Sequence, residues 1–204
     1  MSMLYVATHA EATHHVEHRV GGWHDSELTP RGREQAERMA SALRRVLAPD
    51  TPVYTSDLRR TMQTAEPIAR AFATVPQPSP DLREMSCGVA EGRPSSWLEA
   101  RIVMPPTEGN RLDHRICDGA ETRREVAMRV YRFMRGLLEA LPPSAVIVTH
   151  GGALTYVVSA WLGVPIEALG RVRYGATAGS LTRLEFDPEW GDRKLVSLNE
   201  TTHL

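Results

Sequence analysis

Short apolar runs and longer amphipathic stretches alternate along the chain. Met3 to Ala7 is apolar with a β-branched member and passes at once into Thr8-His9-Ala10-Glu11, which predicts a buried strand ending in a polar loop. After Thr29-Pro30 the apolar positions Ala36, Met39, Ala40, Leu43, Val46 and Leu47 recur at helical spacing, with Thr29 placed to cap and Pro30 suited to the first turn. Val53-Tyr54-Thr55 reads as a second short strand, running through Ser56-Asp57 into a helical segment from Leu58 to Phe72 that Pro67 is expected to kink or interrupt. Thr122 to Glu125 fits a capping box, and Val126, Val130, Phe133, Met134, Leu137, Leu138 and Leu141 form the apolar stripe of the helix it opens.

Pro142-Pro143 stops that helix. Ala145 to Thr149 is apolar enough for a central strand covered on both faces, and it empties into His150-Gly151-Gly152. A further helix is predicted over Ala153 to Leu162, and later strands over Gly179 to Phe186 and Lys194 to Leu198. Arg93 to Asp118, with its prolines and few periodic apolar positions, reads as an insertion or lid within one domain spanning residues 1–204.

Strands alternating with helices imply an α/β fold, a three-layer α/β/α sandwich around a mainly parallel central sheet. Ligands in such sheets gather where the carboxyl ends of the strands meet the following loops. Three predicted strand ends carry Thr8-His9, Thr55-Ser56 and Thr149-His150, so two histidines are expected on one rim. One strand-end histidine reads equally well as a buried imidazole satisfied by backbone; two at equivalent ends can face one ligand from opposite sides.

Composition narrows the partners. With 24 Lys plus Arg against 25 Asp plus Glu in 204 residues, the chain lacks the basic excess of a nucleic-acid binder, while small phosphorylated molecules stay open. Two cysteines, Cys87 and Cys117, favour a reducing compartment over a disulfide framework. The opening Met-Ser-Met-Leu-Tyr-Val has no leader-like pattern and no 18-residue apolar run occurs, so a cytoplasmic protein without a membrane partner is predicted.

Taken in order, Thr8-His9-Ala10-Glu11, Gly22-Trp23, Leu28 to Gly32, Ser56 to Ala65, Leu82-Arg83-Glu84, Glu91-Gly92, Gly119 to Thr122 and Thr149 to Gly152 make a highly specific combination. On these motifs the chain resembles the histidine phosphatase superfamily, in its phosphoglycerate-mutase-like branch. The resemblance implies hydrolysis of a small phosphomonoester through a phosphohistidine, with no cofactor and no metal, and it allows a homodimer. It makes His9 the nucleophile, Arg60 the phosphate-binding guanidinium, His150 the second active-site histidine and Glu84 the proton donor to the leaving oxygen. It places Thr8, Glu11, His15, Arg19 and the Gly151 amide around the substrate. Mutase-like phosphoryl transfer and a catalytically weakened phosphate-binding protein are the other readings.

Departures from the family pattern sharpen these expectations. The signature begins Arg-His-Gly, whereas this chain has Thr8-His9-Ala10. Thr8 thus stands for a guanidinium whose charge-assisted hydrogen bond is worth about 1.5–3 kcal/mol. Arg19, Arg59 and the cluster His14-His15-His18 are candidates to replace that charge. Ala10 is expected to alter the loop path if its position needs positive φ. His14-His15-Val16-Glu17-His18 also fits an inverted zinc-protease pattern, with His14 and His18 one helical turn apart, although the segment lacks a long amphipathic helix.

Overall fold

A computed structural model describes residues 2–204. In chain order it contains β1 (Ser2–Thr8), the one-turn α1 (Thr13–Val16), α2 (Pro30–Arg44), β2 (Val53–Thr55), α3 (Arg59–Ala71) and β3 (Gln77–Pro78). These are followed by α4 (Ser95–Glu99), α5 (Arg123–Ala140), β4 (Ser144–Thr149), α6 (Ala153–Trp161), β5 (Leu181–Asp187) and β6 (Asp192–Glu200). One six-stranded sheet results, ordered β3-β2-β4-β1-β5-β6.

Side-chain alternation distributes β1 and β4 between two cores. Leu4, Val6, Ala145 and Ile147 pack with α5 and α6 on one face, while Tyr5, Ala7, Val146 and Val148 pack with α2 and α3 on the other. Both strands are apolar because both of their faces are covered. Thr29 accepts a hydrogen bond from the Gly32 amide at the start of α2, and Pro30 occupies the first turn. The Thr122–Glu125 capping box forms at α5, and Leu141, at φ 29°, ends that helix ahead of the two prolines.

The expected α/β fold is present, with one expectation refined and one corrected. The sheet is parallel only across β3, β2, β4 and β1, since β5 runs antiparallel to β1 and to β6. Residues 188–191 join β5 to β6, and a connection that short reaches only an antiparallel neighbour. Helix α3 continues through Pro67, because Ala65, Ile68 and Ala69 of the same turns are buried in the core and offset a cost of about 3 kcal/mol.

Parallel pairing sets the rim. Thr8 lies opposite Thr149, and Thr55 opposite Val148, so β1, β4 and β2 end within a residue of one another. His9, His150 and Ser56 are the next residues along their strands. They leave the sheet together.

Candidate active site

Backbone bonds clamp His9 from both sides. Its N–H donates to the Thr149 carbonyl at 2.9 Å, and its carbonyl accepts from the Gly179 N–H at 3.0 Å. Its ring Nδ1 lies 2.8 Å from the Ala10 carbonyl. A carbonyl only accepts, so Nδ1 carries the proton and Nε2 keeps its lone pair. Burial, reinforced by the nearby Arg60 charge, holds the imidazole well below its usual pKa and therefore neutral.

Arg60, in the first turn of α3, is 1% exposed. Its Nε donates to His9 Nε2 at 3.2 Å, while its two terminal nitrogens donate to the His24 carbonyl at 2.7 Å and the Gly22 carbonyl at 2.8 Å. A guanidinium has five N–H donors, so two remain for an incoming anion. Burial lowers its pKa to about 10, opposed first by Glu84, which leaves it charged near neutrality.

His150 is wholly buried behind His9, with ring centroids 5.1 Å apart in an edge-on arrangement. Its Nε2 meets Ser56 Oγ at 2.9 Å, and its Nδ1 has no hydrogen-bond partner among the described residues. Burial and then the Arg60 charge push its pKa well down, so this ring too is neutral in the free protein.

Glu84 lines a cavity that His9 and Arg60 also line, and it is held by one backbone N–H on each oxygen. Met85 donates to Oε1 at 2.9 Å, and Gly152 donates to Oε2 at 2.8 Å. A Cβ on Gly152 would fall 2.4 Å from Glu84 Oε1. That close approach is what the second glycine of His150-Gly151-Gly152 supplies; Gly151 lines the cavity beside it.

A supporting layer, to which the sequence reading gave no role, fixes the Glu84 backbone. Arg129 donates to the carbonyls of Asp81, Arg83 and Glu84 while pairing through two nitrogens with Glu121. Trp23 Nε1 donates to the Glu84 carbonyl at 2.7 Å, and the Arg83 guanidinium stacks over the Trp23 ring. An arginine on the buried face of an amphipathic helix was the available signal, since a charge there demands a partner.

Four sequence-chosen residues lie elsewhere or are arranged differently. Thr8 turns its hydroxyl toward the Thr177 carbonyl (2.5 Å) and Ser180 Oγ (3.0 Å), anchoring the loop before β5. Glu11 locks onto the start of α2, accepting from Thr29 Oγ1 at 2.7 Å and from Arg31, where a helix N-terminus favours a carboxylate. Arg19 is exposed, engaging Glu17 and the Gly92 carbonyl. Arg59 pairs weakly with Glu27 at the surface. None of the four lines the cavity. Ala10 is buried and is not among the residues with positive φ, so its methyl is accommodated without strain.

Two imidazoles occupy the space near His9 instead. His15 stacks on His9 at 5.4 Å between ring centroids, and its Nδ1 accepts from the Ala12 N–H at 3.2 Å, so its Nε2 carries a proton to offer. His14 is buried, 4.0 Å from His15 by ring centroid, with Nδ1 2.7 Å from Ser26 Oγ. Burial and then His15 lower the His14 pKa to about 3. The zinc-protease pairing of His14 with His18 does not form: α1 stops at Val16, and His18 turns away, exposed, with φ 52°.

The cavity has a volume of about 740 Å³. His9, His15, Arg60 and Glu84 are among the residues that line it. Ile102, Met104, Arg111 and Ile116 of the 93–118 segment line it too, as do Tyr156, Val172 and Tyr174.

A neutral, tautomer-locked imidazole under a buried guanidinium, at the carboxyl rim of an α/β sheet, defines an enzyme of phosphoryl chemistry. Residues 4–201 match the model of the histidine phosphatase superfamily (branch 1), and the chain belongs to that family. Among curated relatives it is 32% identical to the probable phosphoglycerate mutase GpmB of Yersinia pestis, over 100% of this chain and 95% of that protein. Among solved structures it is similar to the mycobacterial glucosyl-3-phosphoglycerate phosphatase, with TM-score 0.80, 25% identity, and 98% and 99% of the two chains covered. YhfR of Bacillus stearothermophilus also superposes, with TM-score 0.80, 25% identity, and 100% and 99% covered.

Proposed function

We propose that the chain hydrolyses a small phosphomonoester through a phosphohistidine on His9. The observation that carries this reading is the His9 tautomer: Nδ1–H is committed to the Ala10 carbonyl, which keeps the Nε2 lone pair, accepting the Arg60 Nε–H in the free protein, for phosphorus. In the first half-reaction Nε2 bonds to phosphorus as the phosphorus–oxygen bond to the alcohol breaks, and Glu84 protonates the departing oxygen. Water then attacks the phosphohistidine, giving up a proton to Glu84, and the nitrogen–phosphorus bond breaks to release inorganic phosphate.

Charge on the transferring group is met by the two free N–H donors of Arg60 and by His15 Nε2–H, with His150 packed behind the nucleophile. His15 thereby covers part of what Thr8 gives up, as a neutral donor rather than a cation. Hydrolysis is favoured over mutase chemistry by the cavity, whose 740 Å³ lies within the roughly 300–1,000 Å³ of sites for drug-sized ligands. That space leaves room for water around a three-carbon phosphoester. The mixed apolar wall of the 93–118 segment acts as the lid that selects the substrate, and the two unpaired cysteines suit a cytoplasmic setting.

The test is trapping of acid-labile phosphate after brief mixing with a panel of phosphomonoesters, read by mass spectrometry. Phosphate on His9, and its loss together with turnover in His9→Ala, is the expected result. Phosphate on another residue, or turnover surviving in His9→Ala, overturns the reading.

A further inference from the structure

The segment after β1 brings three imidazoles to one point. One ring nitrogen from each of His9, His14 and His15 lies within 4.8 Å of the others. His9 comes from the end of β1, and His14 and His15 from adjacent positions of α1, whose tight turn is held by the His15 N–H to Ala12 carbonyl bond at 2.9 Å. All three rings border the large cavity. The phosphatase reading uses His9 and His15, and it leaves His14 without a task.

From this convergence we infer that His9, His14 and His15 form a three-histidine site that binds Zn²⁺ reversibly and blocks phosphoryl transfer while it is occupied. Zinc takes imidazole nitrogens at about 2.0–2.1 Å in tetrahedral geometry, which sets the ligand nitrogens roughly 3.4 Å apart. The ring nitrogens, now within 4.8 Å of one another, draw in to that spacing on binding. The fourth position opens to the cavity and takes water.

Each ligand can present a lone pair. His9 Nε2 carries one, its proton being fixed on Nδ1 by Ala10, and exchanges the Arg60 Nε–H bond at 3.2 Å for the metal. His14 Nδ1 faces a serine hydroxyl, which accepts as readily as it donates, so His14 can hold its proton on Nδ1 and release Nε2. His15 ligates through Nε2 by moving its proton to Nδ1, which gives up the Ala12 N–H bond. A hydrogen bond from a ligating nitrogen's ring partner to serine or carbonyl orients the imidazole and raises its basicity.

Electrostatics near the cluster are mixed. Arg60 opposes a cation and Glu84 on the same cavity favours one. Thr8 spares the cluster a second guanidinium beside His9, because it is neutral and turned toward Thr177 and Ser180. Inhibition then follows from one fact of bonding. The Nε2 pair that holds zinc is the pair that must attack phosphorus, so metal and phosphoryl group exclude each other.

Blocking rests on the phosphatase reading, but binding does not. The 204-residue protein, freed of metal with a chelator, is titrated with Zn²⁺ in a calorimeter, and with Co²⁺ while its visible absorption is followed. One ion per chain, the intense bands of a four-coordinate Co²⁺ site, and a loss of affinity of about 100-fold in His14→Ala are expected. Zn²⁺ is also expected to suppress p-nitrophenyl phosphate turnover over the same concentration range, with EDTA restoring it. Cys87→Ser is the control, because that thiol borders the same cavity. No stoichiometric binding, equal binding by His14→Ala, or binding lost only in Cys87→Ser overturns the site. Histidine-dependent binding to a protein with no turnover in the metal-free state leaves the site standing and overturns the phosphatase reading; full turnover with zinc bound overturns the block.

Discussion

Arg60 donates its Nε–H to Nε2 of His9 across 3.2 Å, so the proposed nucleophile and the guanidinium proposed to bind the anion are already in contact before a substrate arrives. The same guanidinium is pinned by the Gly22 and His24 carbonyls, which fixes its plane. Positioning of this kind costs nothing at the moment of reaction.

Arg60→Lys therefore tests geometry against charge. An ammonium keeps the charge but has no planar fork with which to reach two carbonyls and the anion together. Steady-state kinetics are expected to show kcat lower by about 100- to 1,000-fold. Unchanged kcat would mean that charge alone suffices.

Gly152→Ala separates the carboxyl group from the fold. The new methyl meets the far end of the Glu84 side chain, which can swing away, so the protein is expected to fold with a near-native melting temperature. The swing removes the Gly152 N–H bond and misplaces the proposed proton donor, and kcat is expected to drop about 100-fold. A small change in kcat would count against Glu84.

Thr8→Val distinguishes anchoring from substrate contact. The Thr8 hydroxyl bonds the Thr177 carbonyl and the Ser180 side chain, and it accepts from the Ser180 N–H at 3.1 Å. Removing it leaves buried groups unpaired and is expected to cost about 1–3 kcal/mol in denaturant unfolding. KM for a phosphomonoester should change little, because the hydroxyl faces away from the cavity.

Asp57 provides a pH-dependent stability test. Its carboxylate takes two hydrogen bonds from Arg83, at 2.6 and 2.7 Å, and these hold its pKa below the usual carboxylate value. The ionised pair stabilises the fold fully above the unfolded-state pKa, and the contribution disappears as pH falls through the lower folded-state value. For a pair this near the surface, Asp57→Asn is expected to cost about 0.5–1 kcal/mol at pH 7 and almost nothing once Asp57 is protonated. Urea melts of both proteins across that acid range check it.

Patterning along the chain was enough for β1, α2, α5 and β4, because each depends on local causes. Thr29 and Thr122 cap helices through bonds to residues three positions away. Alternate residues of β1 and β4 fill two cores, which requires the uninterrupted apolar runs that were visible in the sequence. Since strand ends were legible, so was the meeting of His9 with His150, and the family motifs added Arg60 and Glu84.

Side-chain direction was not legible, since it is set by partners far along the chain. Thr8 faces Thr177 and Ser180 because β5 joins the sheet antiparallel beside β1, a pairing that no local pattern encodes. Glu11 is drawn off by Thr29 and Arg31, and Glu84 owes its position to Gly152 and Arg129. Composition and periodicity thus determined the long helices and the central strands and which residues stand at their ends. Only tertiary packing decided which of those residues share one cavity, because hydrogen bonds between distant segments choose among rotamers that local sequence leaves equally open.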